Sequence, residues 1–180
     1  MVGKVGFKMN SLKVRYMTIT GIFTALILVF AAYVHIPGYT GYVHIADGFL
    51  FLAASMLPTP YAMFAGAFGA ACADLLTGYA IWAPGSFIIK AITVLFFTSK
   101  APKILCKRNL FGLIPAAALC VGGYYLYEVI LYGSFSAPLF GMIGNVTQAV
   151  FSSAVFVLVG LSFDKAKLRE HLFMSHRISK

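Results

Sequence analysis

Six apolar stretches run along the chain, separated by short segments rich in Gly, Pro, Tyr and charged residues. They fall at roughly 14–34, 45–57, 60–78, 84–99, 110–132 and 138–163. Most carry Leu, Ile, Val, Phe and Ala all round rather than on one stripe, the pattern of helices bathed in an apolar medium. The first, third, fifth and sixth approach or exceed the length of about 20 residues that crosses a bilayer. The second is short and is expected to tilt or to enter only part way. It stops at Pro58-Thr59-Pro60, which cannot continue a helix. The predicted fold class is therefore an all-α membrane protein: a six-transmembrane-helix bundle forming a single integral membrane domain over residues 1–180, without a repeat or linker.

Charge placement gives the orientation. All but one of the 14 Lys and Arg residues fall in three clusters: Lys4, Lys8, Lys13 and Arg15; Lys100, Lys103, Lys107 and Arg108; Lys165, Lys167, Arg169, Arg177 and Lys180. The loops after spans one, three and five have no Lys or Arg. Basic residues stay on the cytoplasmic side, so both termini are expected there, in a multi-pass protein of the bacterial cell membrane. Only 11% of residues are charged, against about 25% in soluble domains. The net charge of +9 is explained by topology and by anionic lipid headgroups, with no need for nucleic acid. The N-terminus has the basic start of a signal peptide, but its apolar run from Tyr16 to Val34 is long enough to span. Cys72, Cys106 and Cys120 match no zinc or disulfide spacing and read as reduced thiols.

Four charges stand inside apolar stretches: Asp47, Asp74, Lys90 and Glu128. Charge at membrane depth is expensive, so each is a functional suspect. At 1.5 Å per residue, Asp74 and Glu128 lie about 6 Å below the outer ends of their spans, Lys90 about 9 Å and Asn145 about 10 Å. Gln148 is three residues further on the same helix face. His44 and Asp47 begin span two. These groups fall in the outer half, above an inner half of Leu, Ile, Val, Phe, Ala and Gly, so a site open outward and closed inward is expected. Tyr39 and Tyr42, Tyr79 and Trp82, and Tyr132 and Phe135 could lid it; as interface anchors they would look alike. A salt bridge of Lys90 with Asp74 or Glu128 would also account for charges there. His35 reads as an interface residue, and His171 and His176 as solvated.

Gly66, Gly69, Ala70 and Ala73 form a small-residue stripe on span three, and Gly21 and Ala25 a small pair on span one. Such surfaces allow close helix approach, inside the bundle or onto another membrane subunit. The chain has no Gly-x-x-x-x-Gly-Lys-Ser/Thr loop, no Gly-x-Ser-x-Gly and no His-Glu-x-x-His. No metal or cofactor is expected, and no enzyme activity of its own.

The stretch Val43-His44-Ile45-Ala46-Asp47-Gly48-Phe49, with Pro60, Gly66, Gly69, Ala73-Asp74-Leu75-Leu76-Thr77-Gly78-Tyr79, Ala83-Pro84 and Ile88-Ile89-Lys90, resembles the substrate-binding S components of energy-coupling factor (ECF) vitamin transporters. Gly123-Tyr124-Tyr125-Leu126-Tyr127-Glu128 and Asn145-Val146-Thr147-Gln148 are similar to the fifth and sixth helices of that family. The resemblance covers about residues 14 to 160, and its branch is that of hydroxymethylpyrimidine or pyridoxine. It implies a six-helix subunit that binds a vitamin near the outer surface. It also implies one membrane coupling (T) subunit and two ATP-binding-cassette (ABC) ATPases as partners, and reorientation of the S component in the membrane. Gly21 and Ala25 stand where the family has Ala-x-x-x-Ala against the coupling subunit.

The expected function is thus substrate capture for ATP-driven uptake. His44, Asp47, Asp74, Glu128, Asn145 and Gln148 would hydrogen-bond a small heterocycle, Lys90 would balance the acids or meet an anionic group, and Tyr79 and Trp82 would stack on the ring. Gly21, Ala25, Gly66, Gly69, Ala70 and Ala73 are the candidate partner surface. Riboflavin and pantothenate are alternative substrates. The rival readings are an intramembrane enzyme using Asp74 and Glu128 as acid and base, and a purely structural membrane partner.

Overall fold

A computed structural model describes residues 11–38 and 42–173. Lys4, Lys8, Tyr39, His176, Arg177 and Lys180 lie outside the described residues. Six principal helices follow in order: α1 (Ser11–Ala32), α2 (Asp47–Met56), α3 (Thr59–Leu76), α4 (Ala83–Thr93), α5 (Lys107–Tyr132) and α6 (Gly141–Lys165), with a short α7 (Leu168–Phe173). Single 3₁₀ turns lead into α4 and α6, and another continues α4 to Phe96. Between α1 and α2 the chain makes a small antiparallel hairpin, β1 (His35–Pro37) and β2 (Tyr42–His44), with His35 opposite His44 and Pro37 opposite Tyr42. This hairpin is an addition to the all-helical expectation.

Local chemistry sets the breaks. Pro58 takes an extended conformation and Pro60 sits in the first turn of α3, where its missing N–H is harmless. Gly133 ends α5 in the left-handed conformation, donating its N–H to the Val129 carbonyl. By length and composition, three helices can cross a membrane: Leu12–Ala32, Lys107–Tyr132 and Ala137–Lys165. Their outward faces are Ile, Leu, Val and Phe, with Ile130 79% and Phe111 70% exposed. Backbone bonds closed within each helix and an apolar exterior are what hydrocarbon demands of a spanning segment, and the chain is an integral membrane protein.

The short α2 is the best-buried helix, with every residue except Phe49 inside. At ten residues it is about 15 Å long, half a bilayer, and the helices around it supply the apolar surroundings it does not supply itself. It packs on α1, α3 and α6, while α3 also packs on α1 and α4. The core beneath contains Phe51 stacked on Phe97 (centroids 4.9 Å apart), with Phe156 edge-on to both.

Gly66, Gly69, Ala70 and Ala73 are all buried in this packing. A Cβ on Gly69 would lie 2.9 Å from Ile27 Cγ2 and 3.0 Å from the Thr24 carbonyl of α1. A Cβ on Gly66 would overlap Leu50 of α2. Of the two uses expected for the stripe, close packing inside the bundle occupies it, and it offers no outward surface to a partner. Gly21 and Ala25, by contrast, are exposed, and a Cβ on Gly21 meets nothing.

Polar groups fasten the loop between α4 and α5. The fully buried Asn109 accepts from Thr98 N (2.7 Å) and donates to the carbonyls of Thr98 (3.0 Å) and Ile104 (2.8 Å). Asp164, near the end of α6, accepts from the amides of Ile104 (2.8 Å) and Leu105 (3.0 Å).

Gly69→Leu is expected to lower the melting temperature in detergent, because overpacking of this kind costs about 1–3 kcal/mol. Gly21→Leu, made in the same way, should stay within about 0.5 kcal/mol of the parent.

Candidate ligand-binding site

At one end of the bundle the hairpin, the α3–α4 turn, the last turns of α5 and the first turns of α6 enclose a polar cavity of about 50 Å³. Seven of the nine side chains singled out in the sequence line it: His44, Asp74, Tyr79, Trp82, Glu128, Asn145 and Gln148. Tyr42 of β2, Ser86 of α4 and Tyr124 of α5 complete its polar wall.

Asp47 and Lys90 are not in that wall. They form a buried ion pair behind it, with Lys90 Nζ 2.9 Å from each carboxylate oxygen. Lys90 therefore pairs with Asp47, and not with Asp74 or Glu128. The reason is positional. Asp47 begins α2, at the end where the helix dipole favours an anion, and α2 lies inside the bundle against the elements that carry Lys90 and Gln148. Gln148 links this pair to the cavity: its Nε2 donates to Asp47 (2.9 Å) and its Oε1 accepts from the backbone N of His44 (3.3 Å). Lys90 Nζ also stands 5.0 Å from the centre of the Tyr124 ring, a cation–π contact that leaves the Tyr124 hydroxyl to Ser86 (2.8 Å).

Two buried atoms of the cavity, His44 Nδ1 and Asp74 Oδ2, make no hydrogen bond of good geometry among the described residues, although Ser86 stands close enough to Asp74 to favour its carboxylate. The other oxygen of Asp74 accepts from the Tyr42 hydroxyl at 2.5 Å. An unsatisfied buried polar atom costs about 1–3 kcal/mol, so both are positions where an entering group gains most. Glu128, buried on α5, accepts from Trp82 Nε1 (3.3 Å).

Aromatic rings cover the cavity in one chain of contacts. Tyr42 lies 4.8 Å from His35, Tyr79 4.9 Å from Tyr42, and Trp82 5.6 Å from Tyr79, centroid to centroid. The turn that holds them is bent at Gly78, at φ +85°, and pinned by Tyr127, whose hydroxyl donates to the Ile81 carbonyl (2.6 Å). Tyr132 and Phe135 do not join the lid. Both are exposed, and the Phe135 carbonyl is held by Tyr125 (3.0 Å); on this side the first turns of α6 line the cavity, with Gly141, Gly144 and Asn145. Tyr39 lies outside the described residues.

Sequence reading passed over Ser86 and Tyr124, yet a signal was there. Each stands four residues before a suspect charge, Ser86 before Lys90 and Tyr124 before Glu128, and therefore on the same helix face.

The family described as "ECF-type riboflavin transporter, S component" matches residues 11–165, from the start of α1 to the end of α6. No curated protein matches the chain. The match supports the S-component resemblance, through the riboflavin-labelled family rather than the hydroxymethylpyrimidine or pyridoxine branch.

Lys90→Met is expected to destabilise the protein by about 3–5 kcal/mol, because it strands the Asp47 carboxylate in the interior. Adding Asp47→Leu should recover most of that loss in a thermal or urea melt; a double variant as unstable as the sum of the singles would show that the pair is not coupled. His44 gives a pH signature. It sits on β2, and burial, partly offset by Asp47 and reinforced by Lys90, lowers its imidazole to about 4. The unfolded ring titrates near 6.5, so this contribution is full above that pH and fades as pH falls toward 4. Melting temperature followed from pH 7 to pH 4 should fall more steeply for the parent than for His44→Gln.

Proposed function

The chain belongs to the family of ECF-type riboflavin transporter S components, and from that premise we propose that it captures a donor-rich, uncharged or cationic heterocyclic vitamin at the outer membrane surface. Membership makes it a substrate-binding subunit of a transporter and not an enzyme, and the Asp74 and Glu128 carboxyls are read as ligand acceptors rather than an acid–base pair. In this reading the six helices form a six-span bundle, the short α2 and α4 spanning together with the segments that flank them, and both termini face the cytoplasm. The support is the basic residues at the start of α1, between α4 and α5 and after α6, with none in the other end's loops.

The observation that carries the proposal is the pair of sealed atoms without a hydrogen bond of good geometry, His44 Nδ1 and Asp74 Oδ2, beneath a ring-lined cover. Ligand hydroxyl or amino groups satisfy them, and a ligand without those groups leaves them unpaired, which is the basis of strong discrimination. Two carboxyls face the cavity, and the nearby ammonium of Lys90 is already bound by Asp47. A ligand with its own carboxylate, such as pantothenate, is therefore disfavoured.

Size favours a single-ring ligand such as pyridoxine or hydroxymethylpyrimidine, since the cavity offers about 50 Å³ and ligand pockets usually need a few hundred. Riboflavin is the second reading, favoured by the family description. It demands a wider opening of the hairpin and the Tyr79–Trp82 turn. Delivery inward falls to one coupling subunit and two ATPases. Gly21 and Ala25 form the proposed contact with the coupling subunit, supported by their exposure on α1.

Trp82 is the single Trp of the chain and lies in the cavity wall, so its fluorescence reports occupancy. Titration of the purified subunit should quench it with riboflavin, pyridoxine or hydroxymethylpyrimidine and not with pantothenate; silence toward all of them overturns the proposal. Asp74→Asn should weaken binding about 10- to 100-fold, the value of a hydrogen bond to a charged group. Gly21→Leu should bind as the parent does and lose uptake in the assembled transporter.

A further inference from the structure

The opposite end of the bundle holds a second cavity of about 300 Å³, between the first turn of α1, the α2–α3 corner, the α4–α5 loop and α7. Its lining is mixed, with Leu12, Met56, Pro58 and Phe173 as the apolar part. Arg169 of α7 and Ser99 supply its polar groups, beside Tyr16. α7 folds back over α1 to make it, held by Arg15 Nη1 donating to the Leu172 carbonyl (3.1 Å) and by the Tyr16 ring 5.1 Å from that of Phe173.

Arg169 is the anomaly. Its Nη1 is sealed from solvent and has no acceptor among the described residues. Asp164 is near enough to act on Arg169 through its charge, but its oxygens accept from the amides of Ile104 and Leu105 and make no hydrogen bond to that Nη1. Arg169 is half-buried, so the cost falls on this one nitrogen: a buried donor without an acceptor is unfavourable, and an anion that enters the cavity relieves that cost. The fork of a guanidinium matches a phosphate by two parallel hydrogen bonds.

We infer that this cavity binds a phosphate group, and that the phosphate belongs to an anionic phospholipid whose glycerol and first chain carbons lie along Leu12, Met56, Pro58 and Phe173. Three features select the lipid over a soluble phosphate. The lining combines polar groups with four apolar side chains, which suits an amphiphile better than a fully solvated ion. The cavity lies at the end of helices whose outer faces are apolar, at headgroup level. The same end carries Lys13, Lys100, Lys103, Lys107 and Arg108, whose field concentrates anionic headgroups there.

The test is native mass spectrometry of the protein taken from micelles holding equal phosphatidylglycerol and phosphatidylcholine. The parent should retain phosphatidylglycerol about fivefold over phosphatidylcholine, the worth of one basic group at the surface. Arg169→Gln should erase the preference, Arg169→Lys should keep part of it in a cavity that still holds a cation, and Lys167→Gln, on an exposed neighbour, should leave it intact. Equal retention of the two lipids by the parent, or an unchanged preference in Arg169→Gln, overturns the site. A loss in Lys167→Gln as large as in Arg169→Gln overturns it too, in favour of a diffuse basic surface. Inorganic phosphate alone should not raise the parent's melting temperature; if it does, and only with Arg169 present, while the lipid preference is absent, the phosphate is a soluble one and the lipid assignment fails.

Discussion

The ion pair between Asp47 and Lys90 is the constraint around which the hairpin end of the bundle is organised. Both side chains are almost wholly buried, in a protein whose surroundings offer no water to either. Neither charge is tolerable without the other. α2 must therefore enter the bundle with its first residue at the depth of Lys90 on α4, and the hairpin that precedes α2 is carried over the top of the bundle. Gln148 extends the constraint, since it holds Asp47 with one end of its amide and the backbone of His44 with the other. Three separate elements, α2, α4 and α6, are thus fixed in relation to the hairpin by polar contacts that only one arrangement satisfies.

That arrangement changes the role of the lysine. A free ammonium in the cavity would attract anionic ligands. Bound behind the wall, it neutralises Asp47 and leaves the cavity to Asp74 and Glu128. The Tyr124 ring beside it and the Ser86–Tyr124 hydroxyl pair shield it further. The sign of charge that a ligand meets is decided by which acid captured the lysine, and this is a tertiary fact.

It is also the point at which the sequence stops being legible. Depth along a helix follows from rise per residue, so Asp74, Lys90, Glu128, Asn145 and Gln148 could be placed near one level before any coordinates. The spans could be placed because apolar runs, Pro and Gly are strong local signals, and the observed helices begin and end within a few residues of the expected limits. Pairing depends on rotation and on neighbour order, which composition does not encode, so Lys90 was expected opposite Asp74 or Glu128. The small-residue stripe of α3 was ambiguous for the same reason: spacing reveals a close contact but not its partner, and the partner is α1 and α2. Asn109 and Asp164 had no signal, since a polar residue near a helix end looks like a solvated one until the loop it fastens is seen.

The tightness of the cavity beneath the hairpin follows from contacts of the same kind. Tyr42 is bonded to Asp74, Tyr79 packs on Tyr42, and Trp82 packs on Tyr79 and is bonded to Glu128. Each acid that a ligand would use is partly occupied by a residue of the cover. A ligand donor that takes Asp74 competes with the Tyr42 hydroxyl, and one that takes Glu128 competes with the Trp82 indole. Entry and lid movement are then one event, because the hydrogen bonds that close the cover are those exchanged for the ligand. The hairpin's two three-residue strands pair only with each other, but β2 is tied to the helices at both ends, Tyr42 to Asp74 and His44 N to Gln148. The second contact joins the cover to the buried Asp47–Lys90 pair, so cover and floor are one bonded network that a ligand would enter at Asp74 and Glu128.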